Sequence, residues 1–238
     1  MDARSHSSSP ATPRSAEYVI RIAASPDVVW KALTDPKELE RWFPLTASVS
    51  PGVGGALTLR WGDIGMDHLP ISIWKPSAHL QLGMPQPSGA PHVIHDFTIE
   101  DHGTSTVLRL VAHGFDPDAR WDEFYDGVRR GWRYELESLR YYLEHHRGQD
   151  RAVAWARVTH RGTAERAWEV GLASHGLKTE TVLISDPPRD FAGIVEGDAL
   201  LRIQVDDVLG LWLAAWDMSP AKLTTIQDTW QTTLSRIF

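Results

Sequence analysis

The stretch from Trp121 to His146 admits one regular structure. Trp121, Phe124, Tyr125, Val128, Trp132, Leu136, Leu139 and Leu143 step by three and four. That spacing gathers apolar side chains on one face of an α-helix. The helix runs for roughly 38 Å at about 1.5 Å per residue. A helix of that length with one apolar face needs a broad apolar surface to lie on.

The residues before it supply a sheet. Leu57, Leu59 and Trp61 alternate with polar or smaller residues. So do Ile71 and Ile73, Leu80 and Leu82, Phe97 and Ile99, and Leu108, Leu110 and Ala112. Period two marks half-buried antiparallel strands. Gly52, Gly54 and Gly55 form one turn, and Glu100-Asp101-His102-Gly103 a hairpin turn. Upstream, Tyr18 to Ala23 reads as a strand. Ser25-Pro26-Asp27 opens a helix, with Ser capping free N–H groups and Pro at the first helical position. Asp35-Pro36 stops that helix and starts a second, short one ending near Trp42. The fold class is α+β: a curved antiparallel sheet whose inner face the long helix covers.

Arg147 to Asp150 is a polar joint, and the order of elements then begins again. Trp155 to Val158 reads as a strand and Thr163 to Ala173 as a helix. Val182 to Ile184, Ala192 to Val195, Leu201 to Val205 and Leu211 to Trp216 read as strands. A last helix follows Ser219-Pro220. Ile20-Arg21-Ile22 before the helix of Trp30 matches Ala156-Arg157-Val158 before the helix of Trp168. Trp132, Leu136 and Leu139 match Trp230, Leu234 and Ile237 at the same offsets. The paired tryptophans are 102 residues apart in the first half and 62 in the second. The expected organisation is a disordered tail over 1–16, a complete domain over 17–147 and a shortened copy over 151–238. The second copy should lack the second short helix and at least one strand pair.

Composition narrows the function. The net charge of −7 disfavours nucleic acid, which needs clustered cations. Arg129-Arg130 with Arg133 is the one dense basic run, and it reads as a solvated helix face. The absence of cysteine excludes disulfides, zinc–thiolate sites and thiol nucleophiles. No run of about 18 apolar residues spans a membrane. The first sixteen residues lack a secretory apolar core, so a cytoplasmic protein is expected. Eleven tryptophans point to large aromatic cavities or contacts.

The run Ala24-Ser25-Pro26-Asp27-Val28-Val29-Trp30-Lys31-Ala32-Leu33-Thr34-Asp35-Pro36 resembles the opening signature of the START-like superfamily, also called SRPBCC. Several later features resemble its branch of activator-of-heat-shock-ATPase homologues. They are Leu39-Glu40-Arg41-Trp42-Phe43, Gly54-Gly55, Trp61-Gly62, Leu108 to Phe115 with His113-Gly114-Phe115, Gly131-Trp132, and Tyr141-Tyr142-Leu143-Glu144. The resemblance covers residues 17 to about 146. It implies a helix-grip fold, a sheet curled around a long C-terminal helix with a cavity between them. It implies no single activity, because the family includes lipid carriers, polyketide cyclases and co-chaperone-like domains.

On that fold, Trp42, Phe43, Leu59, Trp61, Ile73, Phe97, Phe124, Val128 and Trp132 are expected to line the cavity and bind a small apolar or aromatic molecule. A protein-interaction role, with a homodimer or a chaperone-type partner, is the alternative. The third reading is a cyclase-like enzyme, for which His95 is the weak catalytic candidate, sharing strand parity with Phe97. Asp96, His113, Glu123 and Tyr125 are further acid–base groups near it. No metal is expected: His92 and His95 project to opposite faces of a strand, and His145-His146 lies at a frayed helix end. Serine-hydrolase and nucleotide-binding motifs are absent, and no cofactor is expected. Asp186-Pro187-Pro188-Arg189-Asp190-Phe191 reads as a rigid polar turn at a sheet edge or between the halves.

Overall fold

The computed structural model describes residues 14–63, 65–83 and 93–238. Its first half runs β1 (Arg14–Ile22), α1 (Pro26–Thr34), α2 (Pro36–Glu40), β2 (Thr46–Ser50), β3 (Ala56–Arg60), β4 (Met66–Lys75), β5 (His79–Leu82), β6 (Ile94–Asp101), β7 (Thr106–Phe115) and α3 (Asp122–His145). The second runs β8 (Ala152–Thr159), α4 (Ala164–Ser174), β9 (Thr179–Asp186), β10 (Asp190–Val195), β11 (Ala199–Val205), β12 (Val208–Ala215) and α5 (Pro220–Ile237). The strands form a seven-stranded sheet, β1-β7-β6-β5-β4-β3-β2, and a five-stranded sheet, β8-β12-β11-β10-β9. Every pairing is antiparallel. In both sheets the first strand pairs with the last, and the others follow in reverse order. The smaller sheet has two strands fewer, and no short helix follows α4 before its next strand.

Local chemistry explains most boundaries. Pro26 and Pro36 occupy the first positions of α1 and α2. Asp35 ends α1 and caps α2, its carboxylate accepting from the Glu38 N–H at 3.0 Å. Ser25 makes no side-chain cap bond, contrary to expectation. Thr163 and Ser219 cap α4 and α5 through their hydroxyls. β1 begins at Arg14, inside the segment expected to be a disordered tail, because Ala16, Tyr18, Ile20 and Ile22 alternate toward the core. Residues 1–13 lie outside the described residues. β2 was not legible in the sequence: Thr-Ala-Ser-Val-Ser is too polar to signal a strand, and it joins the edge through five residue pairs with β3.

One expected inward residue points the other way. β4 pairs with β3 through its first five residues and with β5 beyond them. Between the two lies a bulge, since Ile71 opposes Leu82 while Ile73 opposes Gln81. Ser72 is the extra residue, and it reverses the alternation that follows. Ile71 and Trp74 therefore share the parity of the buried Leu82 and Leu80, while Ile73 joins the outer face with Gln81. Trp74 meets Trp30 of α1 edge-on at 4.9 Å.

α3 is covered on two sides. Trp132, Leu136, Leu139 and Leu143 belong to the core shared with the larger sheet. Ser138 donates to the Trp42 carbonyl at 2.9 Å, and the Trp42 indole N–H donates to Ala32 O at 2.9 Å, tying α3 to the two short helices. The opposite side of α3 meets the smaller sheet, whose Ile184, Ala192, Leu200 and Ala214 belong to the same core. The other face of that sheet carries α4 and α5 in a separate core. α4 lies close enough that a Cβ on Gly171 would come within 2.8 Å of Ile203. No helix among the described residues is long and apolar enough to cross a membrane.

Two expectations fail at this junction. Arg130 was read as part of a solvated face, yet it is 6% exposed. Its Nε donates to Asp190, and its Nη1 donates to Asp206 at 2.6 Å. The polar turn at 186–191 is thus a contact between the halves. His146 was placed at a frayed end, yet Trp216 stacks on its ring at 4.4 Å and 4°, and it is 1% exposed. The Trp216 indole N–H donates to Arg41 O at 3.1 Å.

Removing one partner of a buried ion pair strands the other charge. Arg130→Ala is expected to cost about 3–5 kcal/mol in urea unfolding. Arg130→Met with Asp190→Leu should recover most of that loss. A single-variant cost below about 1 kcal/mol would show that the pair does not hold the halves together.

Candidate functional site

The concave face of the larger sheet sets one wall of a chamber. Leu57 and Leu59 of β3 and Leu80 and Leu82 of β5 point into it, all at most 4% exposed. β6 adds His95 and Phe97 by strand parity. α3 forms the roof with Phe124, Val128, Gly131, Trp132 and Glu135, which recur at helical spacing. The segment after α2 closes one end with Trp42 and Phe43, whose rings stack at 5.0 Å. The volume of this open-mouthed chamber is about 390 Å³.

Aromatic rings define its shape. The Trp132 ring lies 5.3 Å from Phe43, 5.5 Å from Phe97 and 5.1 Å from His95. Trp61 meets Phe43 edge-on at 5.4 Å. Such tilted and edge contacts hold rings firmly without filling all the space between them. Phe124, 43% exposed, stands at the rim. Of the nine residues expected to line the cavity, eight do so, and Ile73 is turned out by the Ser72 bulge.

His95 is the most unusual polar group in the chamber. Its side chain is buried, and neither ring nitrogen has a hydrogen-bond partner among the described residues. Burial, and then the nearby His113, pulls its pKa down to about 4. It is therefore a neutral imidazole near pH 7, with one donor and one acceptor to offer. The other acid–base candidates do not join it. Asp96 faces the outer side of β6, where it pairs with His79 at 2.8 Å and Gln81 at 2.5 Å. The Tyr125 hydroxyl donates to Ser15 O at 3.0 Å near the sheet edge. Glu123 is exposed, and His113 lies outside the lining. His92 falls outside the described residues. Among those described, no group of three His, Asp or Glu side chains is placed to hold a metal ion.

Two carboxyls were missed by sequence reasoning. Asp67 enters from β4, and burial raises its pKa. Glu135 enters from α3, and burial pushes its pKa up to about 7 against the pull of Arg202 and Arg151. The signal for Glu135 was present, since it follows Val128 by seven residues on one helix face. Its arginine partners come from the second half and had no sequence signal.

Comparison with known proteins gives a family. Residues 23–144 match the family model described as activator of Hsp90 ATPase homolog 1-like protein. A crystal structure of a Mesorhizobium loti protein shares 25% identity, covering 53% of this chain and 94% of that one, with a TM-score of 0.47. The solution structure of the Aha1 dimer from Colwellia psychrerythraea shares 22% identity, covering 57% and 99%, with a TM-score of 0.49. DynU16, from the dynemicin biosynthetic locus, shares 16% identity, covering 93% and 95%, with a TM-score of 0.48. No functionally curated protein matches the chain. The matched segment is just over half of the sequence and runs from just after β1 to the last turn of α3, taking in every residue that lines the chamber. On that match the chain belongs to the activator of Hsp90 ATPase homolog 1-like family, within the START-like (SRPBCC) superfamily.

Proposed function

We propose that the chamber under α3 binds a small apolar or aromatic molecule and performs no chemistry on it. The observation that carries this reading is the unpartnered His95 imidazole in the wall of an apolar space of about 390 Å³. A buried polar group without a partner costs about 1–3 kcal/mol, and a ligand hydroxyl or carbonyl there would remove that cost. Apolar walls with a few placed polar groups are the usual form of a small-molecule site. Catalysis is less well supported. A general base is best poised near the working pH, whereas His95 titrates near 4 and has no carboxylate to orient it.

The second half, on this reading, is a shortened copy of the helix-grip domain that serves as a cover. Its sheet and helices keep the order of the first half. Trp230, the counterpart of Trp132, is 1% exposed, and its indole N–H donates to His175 O at 2.9 Å. The corresponding position is thus sealed.

Gly131 offers a clean test of the chamber. A Cβ there meets nothing within 4 Å, so a side chain grows into open space. Gly131→Phe should lower the affinity for 1-aminoanthracene, followed by its fluorescence, at least about tenfold. The melting temperature should hold or rise, because helical glycine costs about 1 kcal/mol against alanine and phenylalanine costs less than glycine. Unchanged dye binding would remove the chamber as the site.

His95 gives a pH signature. Its depressed pKa means that the unfolded state takes up a proton first as pH falls below about 6.5. Its contribution is therefore full above pH 6.5 and is lost progressively toward pH 4. The depression corresponds to roughly 3 kcal/mol. His95→Phe should flatten the acid limb of the stability profile by that order. An unaltered limb would show that the imidazole is already solvated.

A chaperone-type protein partner is the second reading, supported by the family match. Sedimentation of an equimolar mixture with purified Hsp90 tests it. Co-migration is expected under this reading, and separate migration removes it.

A further inference from the structure

A second cavity lies across α3 from the first, against the five-stranded sheet, with a volume of about 230 Å³. The two share Phe43, Trp61 and Glu135 as a common wall. Their characters differ. The first is lined mainly by leucines and aromatic rings, whereas the second gathers Arg151, Arg157 and Arg202 around three indoles, Trp61, Trp155 and Trp212.

Strand register builds its floor. Trp155 of β8 lies directly opposite Trp212 of β12, and Arg157 lies opposite Gly210. All four line the cavity. Gly210 sits in the interior of a central strand, where glycine is normally unfavourable. Its backbone does not need glycine, since its φ is not positive. A Cβ there would meet only Arg157 Cγ and Gln204 O, both at the ordinary contact distance of 3.9 Å. The missing side chain therefore leaves room above the strand without relieving any clash. Glycine in a strand often marks close approach by a ligand.

The polar groups of this cavity are unevenly satisfied. The Tyr134 hydroxyl is buried without a partner among the described residues, on a residue 4% exposed. Arg202 Nε is likewise buried and unpartnered, with the guanidinium 4.7 Å above the Tyr134 ring. Arg202 approaches Glu135 only to 3.7 Å and Asp190 to 4.0 Å, outside hydrogen-bond reach. Arg157 has no carboxylate within ion-pair distance among the described residues, while Asp206 is already engaged by Arg130, Arg189 and Gln204. The three guanidiniums thus outnumber the two carboxylates of the lining, Glu135 and Asp206. Guanidinium groups with a phenolic hydroxyl match a planar carboxylate, and indoles suit an aromatic ring.

The geometry points to a second binding site, for an aromatic carboxylate whose ring lies against Trp155 and Trp212. Its carboxylate takes hydrogen bonds from Arg202 and the Tyr134 hydroxyl, with Arg157 at the open edge. This site stands apart from the reading of the first chamber, and its test separates the two.

Isothermal titration of the full chain with 2-naphthoate and its neutral amide provides that test. In Gly131→Phe, whose first chamber is blocked, the acid should bind with a stoichiometry of one and the amide at least about tenfold more weakly. Gly210→Leu, which fills the floor, should weaken the acid at least about tenfold without lowering the melting temperature. Arg157→Gln, at an exposed position, should weaken it by several-fold through loss of charge. Gly131→Phe, which blocks the other chamber, should leave binding of the acid within about twofold. Four outcomes would each overturn the proposal: no binding of the acid, equal binding of acid and amide, indifference to Gly210→Leu, or loss of binding in Gly131→Phe. The last would assign the acid to the first chamber.

Discussion

The architecture depends on a helix that is buried from two directions. α3 carries apolar side chains toward the larger sheet and a mixture of tyrosines and charges toward the smaller one. Burying the second side requires that each charge be met. Asp190 and Asp206 meet Arg130, Asp198 accepts from the Tyr141 hydroxyl, and Trp216 covers His146. Each of these partners comes from beyond residue 150. The halves therefore share one helix as a structural element, and a cut at the joint would bare a charged and aromatic face that has no other cover.

Legibility in the sequence followed the range of the interaction. Helix-period and strand-period patterns are local, and they gave α3, the main strands and the order of the second half. The chamber residues followed from the same patterns, because parity along a strand and steps of three and four along a helix say which side chains face a common space. Ile73 was lost to a single inserted residue, Ser72, which no alternation rule reveals. β2 was lost because edge strands need little apolar content. Arg130 and Glu135 were misread or missed for a different reason. Charges on a helix look solvated until the element that buries them is known, and that element lies some 60 residues away in sequence.

The two spaces flanking α3 show how one helix can serve unlike chemistries. Toward the larger sheet it presents Val128 and Trp132 to a wall of leucines. Toward the smaller sheet it presents Tyr134 to arginines. Glu135 belongs to both walls, and burial pushes its pKa up to about 7 against the pull of Arg202 and Arg151. The near-sealed packing at Trp230 shows that the smaller sheet keeps its own helices in tight contact, so its spare face is the one turned toward α3.

The bulge at Ser72 has a geometric consequence. A strand that changes neighbours midway makes a corner in its sheet, and β4 does so where the extra residue sits. One side of the corner sends Asp67 and Leu69 into the hollow, while the other sends Trp74 onto α1. A β4 without Ser72 would straighten the fold line yet keep Ile73 opposite Gln81 and Trp74 opposite Leu80. The extra residue thus supplies the bend alone, while the faces of the side chains beyond it follow from ordinary alternation.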